Sequence, residues 1–243
     1  MVIRSSTVLP AIREDVSFRT DDGLTLVGEL AVPRDEPARA TVVFFHPLPT
    51  AGGYMDSHLI RKAANRLPAM AGVAVLRFNF RGVSSPRGQS EGEFGEGNDE
   101  AHDLRAAMAF VQSRGLPTPW LAGWSFGTEV ILKHALDAGY PFEGAFLLAP
   151  PLHRTSVDDL RQWVGRPEPV VALVPEHDDF LKPPEANERF SVIPHAQVIP
   201  AVGAKHLFVG EKYTHLALSA LVEQVAPDRL PLPTEWPETI EED

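Results

Sequence analysis

Trp120-Leu121-Ala122-Gly123-Trp124-Ser125-Phe126-Gly127-Thr128-Glu129 decides how the rest of the chain is read. A short apolar run ends in a glycine, a serine follows between two bulky aromatics, and a second glycine opens an amphipathic segment through Val130, Ile131, Leu132, Ala135 and Leu136. The pattern predicts strand, sharp turn, helix. Gly123-Trp124-Ser125-Phe126-Gly127 fits G-x-S-x-G, the turn that exposes a serine oxygen at the end of a sheet. Side chains at 123 and 127 would collide with neighbouring backbone in so tight a turn, which is the physical reason for glycine at both.

Outward from this stretch, apolar runs alternate with helical periodicity. Asp15 to Thr20 and Leu24 to Val32 alternate apolar and polar residues around Asp21-Asp22-Gly23, as in an antiparallel hairpin. Thr41 to Phe45 is a continuous β-branched and aromatic run, the mark of a strand buried on both faces. Further strands are expected at 73–80, 144–149, 170–174 and 196–199, and 116–118 leads back to the strand that ends at Gly123. Helices are expected at 59–67, 99–111, 157–163, 183–190 and 213–225. This order implies a doubly wound, mostly parallel sheet of about eight strands. About twenty residues separate the strands at 144–149 and 170–174, too few for a cap domain.

At 243 residues and 44% hydrophobic, the chain is expected to form a single α/β domain over residues 1–226. Residues 227–243, with prolines 227, 231, 233 and 237 and the acidic end Glu241-Glu242-Asp243, read as a frayed tail, with peripheral packing of Trp236 as the alternative. The net charge of -11 argues against nucleic acid and anionic membranes as partners. The absence of cysteine rules out disulfides, thiolate zinc sites and a cysteine nucleophile. Met1 to Pro10 lacks an apolar run of signal-peptide length and no later run approaches a membrane span, so a cytoplasmic location is expected.

A serine needs a base, a carboxylate to orient the base, and donors for the oxyanion. One known chain order is Ser, then Asp or Glu, then His, at the carboxyl ends of successive strands. The strand ending at Val174 runs into Pro175-Glu176-His177-Asp178-Asp179, where Asp178 is the chosen acid and Glu176 and Asp179 are alternatives. His206 follows the strand near Ile199 and precedes the last helix. Of the other histidines, His58, His102, His134 and His215 fall in helical stretches, His153 and His195 at strand ends, and His177 beside the acid. None has metal-ligand spacing, so neither a metal nor another cofactor is expected. The oxyanion donors are assigned to the N–H of Phe126 and of Leu48, since Pro47 and Pro49 have none. Trp124, Leu152, His153, Trp163, Phe180 and Phe208 are candidate walls of a pocket for a small acyl substrate.

With these residues placed, the chain resembles the α/β-hydrolase superfamily over residues 15–226. Within it, it is similar to small, lidless bacterial hydrolases related to dienelactone hydrolase-like and acyl-peptidase-like domains. The resemblance rests on Phe45-His46-Pro47-Leu48-Pro49, on Arg77 to Val83, on Ser90-Glu91-Gly92, on Gly123 to Gly127, on Pro175 to Asp178 and on His206 to Gly210. It implies an α/β-hydrolase fold without a cap, an Arg81-Gly82 turn under the site, and a triad of Ser125, Asp178 and His206. Ser84 to Gln89 lengthens one loop relative to the pattern, and Pro175 stands where glycine is common. The activity implied is serine hydrolysis, foremost of carboxylic esters, with peptidase or thioesterase action or ligand binding without catalysis as alternatives.

Overall fold

The computed structural model describes residues 1–237. Its strands are β1 (Ile12–Arg19), β2 (Thr25–Val32), β3 (Ala40–Phe45), β4 (Val73–Phe78), the short β5 (Ser84–Ser85) and β6 (Gly88–Gln89), β7 (Pro119–Trp124), β8 (Gly144–Leu148), β9 (Val170–Pro175) and β10 (Gln197–Ala201). Its helices are α1 (His58–Ala71), α2 (Glu100–Ser113), α3 (Phe126–His134), α4 (Val157–Arg161), α5 (Pro183–Phe190) and α6 (Glu211–Val225). Eight strands form one sheet in the order β1-β2-β4-β3-β7-β8-β9-β10, and β5 and β6 pair as a small hairpin inside the long 79–97 loop. The first two junctions are antiparallel and the rest parallel, as expected of a doubly wound sheet with a hairpin at one edge.

The continuous apolar runs are buried on both faces because successive side chains leave a strand on opposite sides. Val43 and Phe45 of β3 join Phe78, Leu121 and Leu147 in a core closed by α2, α3 and α5. Val42 and Phe44 join Ala122, Phe146 and Leu148 in a second core closed by α1 and α6. Between β8 and β9 only α4 intervenes, and no cap is inserted. Among the described residues, no helix is long and apolar enough to cross a membrane.

Two expectations are corrected. The strand expected at 73–80 ends at Phe78, because beyond the Asn79 N–H to Val27 carbonyl bond the Ser90 hydroxyl stands between the Val27 N–H and the Asn79 carbonyl, and the Phe80 N–H goes to the His46 ring. The stretch 227–237, expected to be frayed, packs. Leu232 is buried against the α1/α6 core, Trp236 is partly buried there, and its main chain exchanges hydrogen bonds with Met1. The apolar side chains between its prolines outweigh the acidic composition that suggested disorder. The last acidic residues, Glu241-Glu242-Asp243, lie outside the described residues.

Candidate active site

The site is built where β7 stops. β7 lies between β3 and β8 in the register Phe45↔Gly123 and Trp124↔Leu148, so the loops after β3 and β8 flank the turn at Ser125. Ser125 has φ 53° and ψ -118°, a sparsely populated conformation for a residue with a side chain. Its N–H donates to the Leu148 carbonyl, and its own carbonyl accepts from the Thr128 N–H and hydroxyl at 2.9 and 2.6 Å. A Cβ at 123 would lie 2.5 Å from the Thr128 nitrogen, and one at 127 would lie 2.0 Å from the Phe45 carbonyl oxygen. Both positions therefore require glycine.

The loops after β9 and β10 complete the cluster. His206 Nε2 lies 2.9 Å from Ser125 Oγ, and His206 Nδ1 lies 2.9 and 3.1 Å from the two carboxylate oxygens of Asp178. An ionised carboxylate only accepts, so Nδ1 carries the proton and Nε2 is left to accept from the serine hydroxyl. Asp178 is buried, and its Oδ1 also accepts from the Phe180 N–H at 2.8 Å. The alternatives face elsewhere. Glu176 accepts from the Gly203 N–H at 2.7 Å, tying the two loops together, and Asp179 is exposed.

Phe126 opens α3, so its N–H is a first-turn amide without an intrahelical acceptor, at the positive end of the helix dipole. Leu48 begins the turn after β3, and its carbonyl accepts from Ala51 and Gly53. His46, not singled out among the histidines by sequence, is wholly buried beneath this turn. Its Nδ1–H donates to the Pro47 carbonyl at 2.7 Å, and its Nε2 accepts the Phe80 N–H at 3.1 Å. Burial lowers its pKa to about 4, against the weaker opposing pull of the Pro47 carbonyl. Holding the Pro47 carbonyl fixes the planar peptide that carries the Leu48 N–H, which points the opposite way within that plane.

No protein-family model matches the chain. Over 155 residues, 63% of this chain, it is 26% identical to an uncharacterized protein of Rickettsia prowazekii (strain Madrid E), and the match spans 62% of that protein's length. Solved structures agree over more of the chain. A lidless α/β serine hydrolase from Xanthomonas campestris, XC6422, matches with TM-score 0.72 at 26% identity, covering 91% of this chain and 99% of its own. The chain belongs to the α/β-hydrolase superfamily. An α/β serine hydrolase homologue from Coxiella burnetii (TM-score 0.72, 24% identity, 86% and 97% covered) shares the fold. So does a Pyrococcus furiosus esterase, Pf2001 (TM-score 0.70, 18% identity, 89% and 94% covered). The likeness to the Xanthomonas campestris serine hydrolase supports a hydrolase.

Around the serine of this α/β hydrolase, the aromatics named from sequence divide in two. His153 and Phe180 are exposed and meet edge to face at 5.4 Å, and the Phe180 ring lies 4.6 Å from that of His206, so both stand on the rim. Trp163 and Phe208 are core residues and no walls. The Trp163 indole donates to the Leu132 carbonyl against Phe142, and Phe208 is buried beneath α6. Leu152 is 3% exposed. Trp124 is 2% exposed and borders a cleft of about 310 Å3 that Pro47, His58 and Leu207 also line. A second cleft, about 350 Å3, is also lined by Leu207 and includes His206, Lys205, Val209 and Tyr213.

Of the supports of the site, the resemblance implied only the Arg81-Gly82 turn; sequence reasoning missed the partners that hold it and the role of Glu129. Glu129, one helical turn beyond Ser125, is fully buried and accepts the Arg154 N–H, and burial raises its pKa. It anchors the loop after β8. Arg81 is buried and held by Asp103 of α2 and by Asp22 of the β1–β2 turn. Asp21, Asp22 and His102 cluster closely enough to hold a cation, but Arg105 and Arg81 already neutralise the two carboxylates.

Proposed function

We propose that the protein is a serine hydrolase that cleaves carboxylic esters through an acyl-enzyme. The observation that carries this reading is the continuous hydrogen-bond chain from Ser125 Oγ through His206 to Asp178. Ser125 Oγ attacks the acyl carbonyl as His206 Nε2 takes its proton, and Asp178 stabilises the imidazolium. The Leu48 and Phe126 N–H groups receive the developing oxyanion, a contribution of about 10² to 10³ in kcat per donor. The C–O bond of the ester breaks as His206 returns the proton to the departing alkoxide. Water, deprotonated by the same imidazole, then releases the acid and restores the serine.

With no cap over the site, short or compact acyl groups are the preferred substrates. Labelling with a fluorophosphonate probe, read by intact mass, tests the nucleophile. A single adduct on the wild type that is absent from Ser125→Ala is expected, and a folded wild type that takes no label overturns the reading in favour of a ligand-binding protein. On a panel of p-nitrophenyl esters, thioesters and peptides, short esters are expected to turn over fastest. Exclusive cleavage of peptides or thioesters would reassign the substrate class without moving the nucleophile.

A further inference from the structure

Two aromatic side chains beside the site make hydrogen bonds that the chemical steps above do not use. The Trp124 indole N–H donates to the main-chain carbonyl of His206 at 3.2 Å. His58 Nε2 lies 2.7 Å from the next carbonyl, that of Leu207. A carbonyl only accepts, so His58 carries its proton on Nε2. The two rings meet edge to face at 5.3 Å, each steadying the other. Consecutive peptide units of the loop that carries His206 are thereby tied to two rigid places, the residue before Ser125 and the first residue of α1.

The loop needs such ties. Leu207 and Val209 are 54% and 68% exposed, and the buried anchor of the loop, Phe208, lies two residues beyond the imidazole. Once Ser125 Oγ is acylated it has no proton to donate, and the imidazole loses one of its two polar side-chain partners. Asp178, the edge of the Phe180 ring and the main chain then keep Nε2 aimed at the reacting atoms.

We propose that Trp124 and His58 are positioning residues of the reaction, clamping the main chain at 206–207 so that His206 Nε2 keeps its place opposite Ser125 Oγ through proton removal and return. This rests on the hydrolase reading above. A misplacement of about 1 Å in such a pair is enough to cost on the order of 100-fold in rate.

The test uses the full chain and the variants Trp124→Phe, His58→Leu and His58→Gln. Three quantities are read for each: the rate of fluorophosphonate labelling, kcat and KM on p-nitrophenyl acetate, and the melting temperature. Trp124→Phe and His58→Leu are expected to slow labelling and kcat by about 10- to 100-fold with KM little changed. His58→Gln keeps a donor for the Leu207 carbonyl and is expected to recover most of the loss. Wild-type labelling and kcat in folded His58→Leu would overturn the clamp, as would a loss that His58→Gln does not recover. The His58 pair decides the matter if Trp124→Phe fails to fold, since His58 is only half-buried at a helix start. If the wild type itself takes no label, the hydrolase reading fails and the clamp with it. A labelled wild type with fully active variants removes the clamp alone.

Discussion

At the residue scale, His46 couples the turn after β3 to pH. Its ring is out of solvent, with one nitrogen donating to Pro47 and the other accepting from Phe80. Protonation would place a second N–H against the Phe80 N–H, two donors facing each other. The folded-state pKa of about 4 lies below the ordinary 6.5, so the unfolded chain takes up the proton first as pH falls. The associated stability is fully present above pH 6.5 and is lost as pH falls through about 4. It amounts to about 3 kcal/mol. Denaturant titrations from pH 7.5 to 4.5 are expected to show a falling midpoint, and His46→Asn, less stable at neutral pH, is expected to show a shallower fall. Some slope remains in the variant, because burial also lowers the pKa of His58 and His134. An unchanged slope would show that His46 titrates normally.

At the scale of elements, the turn between β7 and α3 works because α3 sits directly on β3. Gly127 faces the Phe45 carbonyl, and β3 cannot retreat because β4 and β7 hold it on both sides. Gly127→Ala is therefore expected to destabilise the protein by about 3 kcal/mol and to slow fluorophosphonate labelling, since α3 and the Phe126 N–H must move together. Urea unfolding and labelling rates check both. A variant of wild-type stability would mean that the helix shifts freely over the sheet.

At the scale of the whole molecule, the two ends of the described chain close on each other. Val2 bridges Glu235, the Ile3 N–H meets the Thr234 carbonyl, and Leu232 is 3% exposed against the core that α1 and α6 share. Leu232→Ala is expected to cost about 2 to 4 kcal/mol, and removal of residues 227–243 at least as much, seen as a lowered melting temperature. Because α1 begins at His58 and α6 follows the loop of His206, the truncation is also expected to slow turnover. A melting temperature unaffected by either change would return this stretch to the frayed state expected from its composition.

The sequence by itself determined the order and type of the main elements, because a strand buried on both faces must be continuously apolar and the helices on a sheet must repeat every three to four residues. It also pointed to Ser125, His206 and the carboxylates after β9, with Asp178 chosen and Glu176 and Asp179 left open, and the structure brings Ser125, His206 and Asp178 together. Tertiary structure decided what depends on side-chain direction within loops. Asp178, and not Glu176 or Asp179, meets His206 because its loop turns back on itself through the Asp178 N–H to Pro175 carbonyl bond, which no spacing encodes. Trp163 and Phe208 lie in the core while Phe180 stands on the rim, although sequence offered all three alike as pocket walls. His46 and His58 acquire their roles from carbonyls, and every residue has one. Only the folded chain selects which carbonyls they meet.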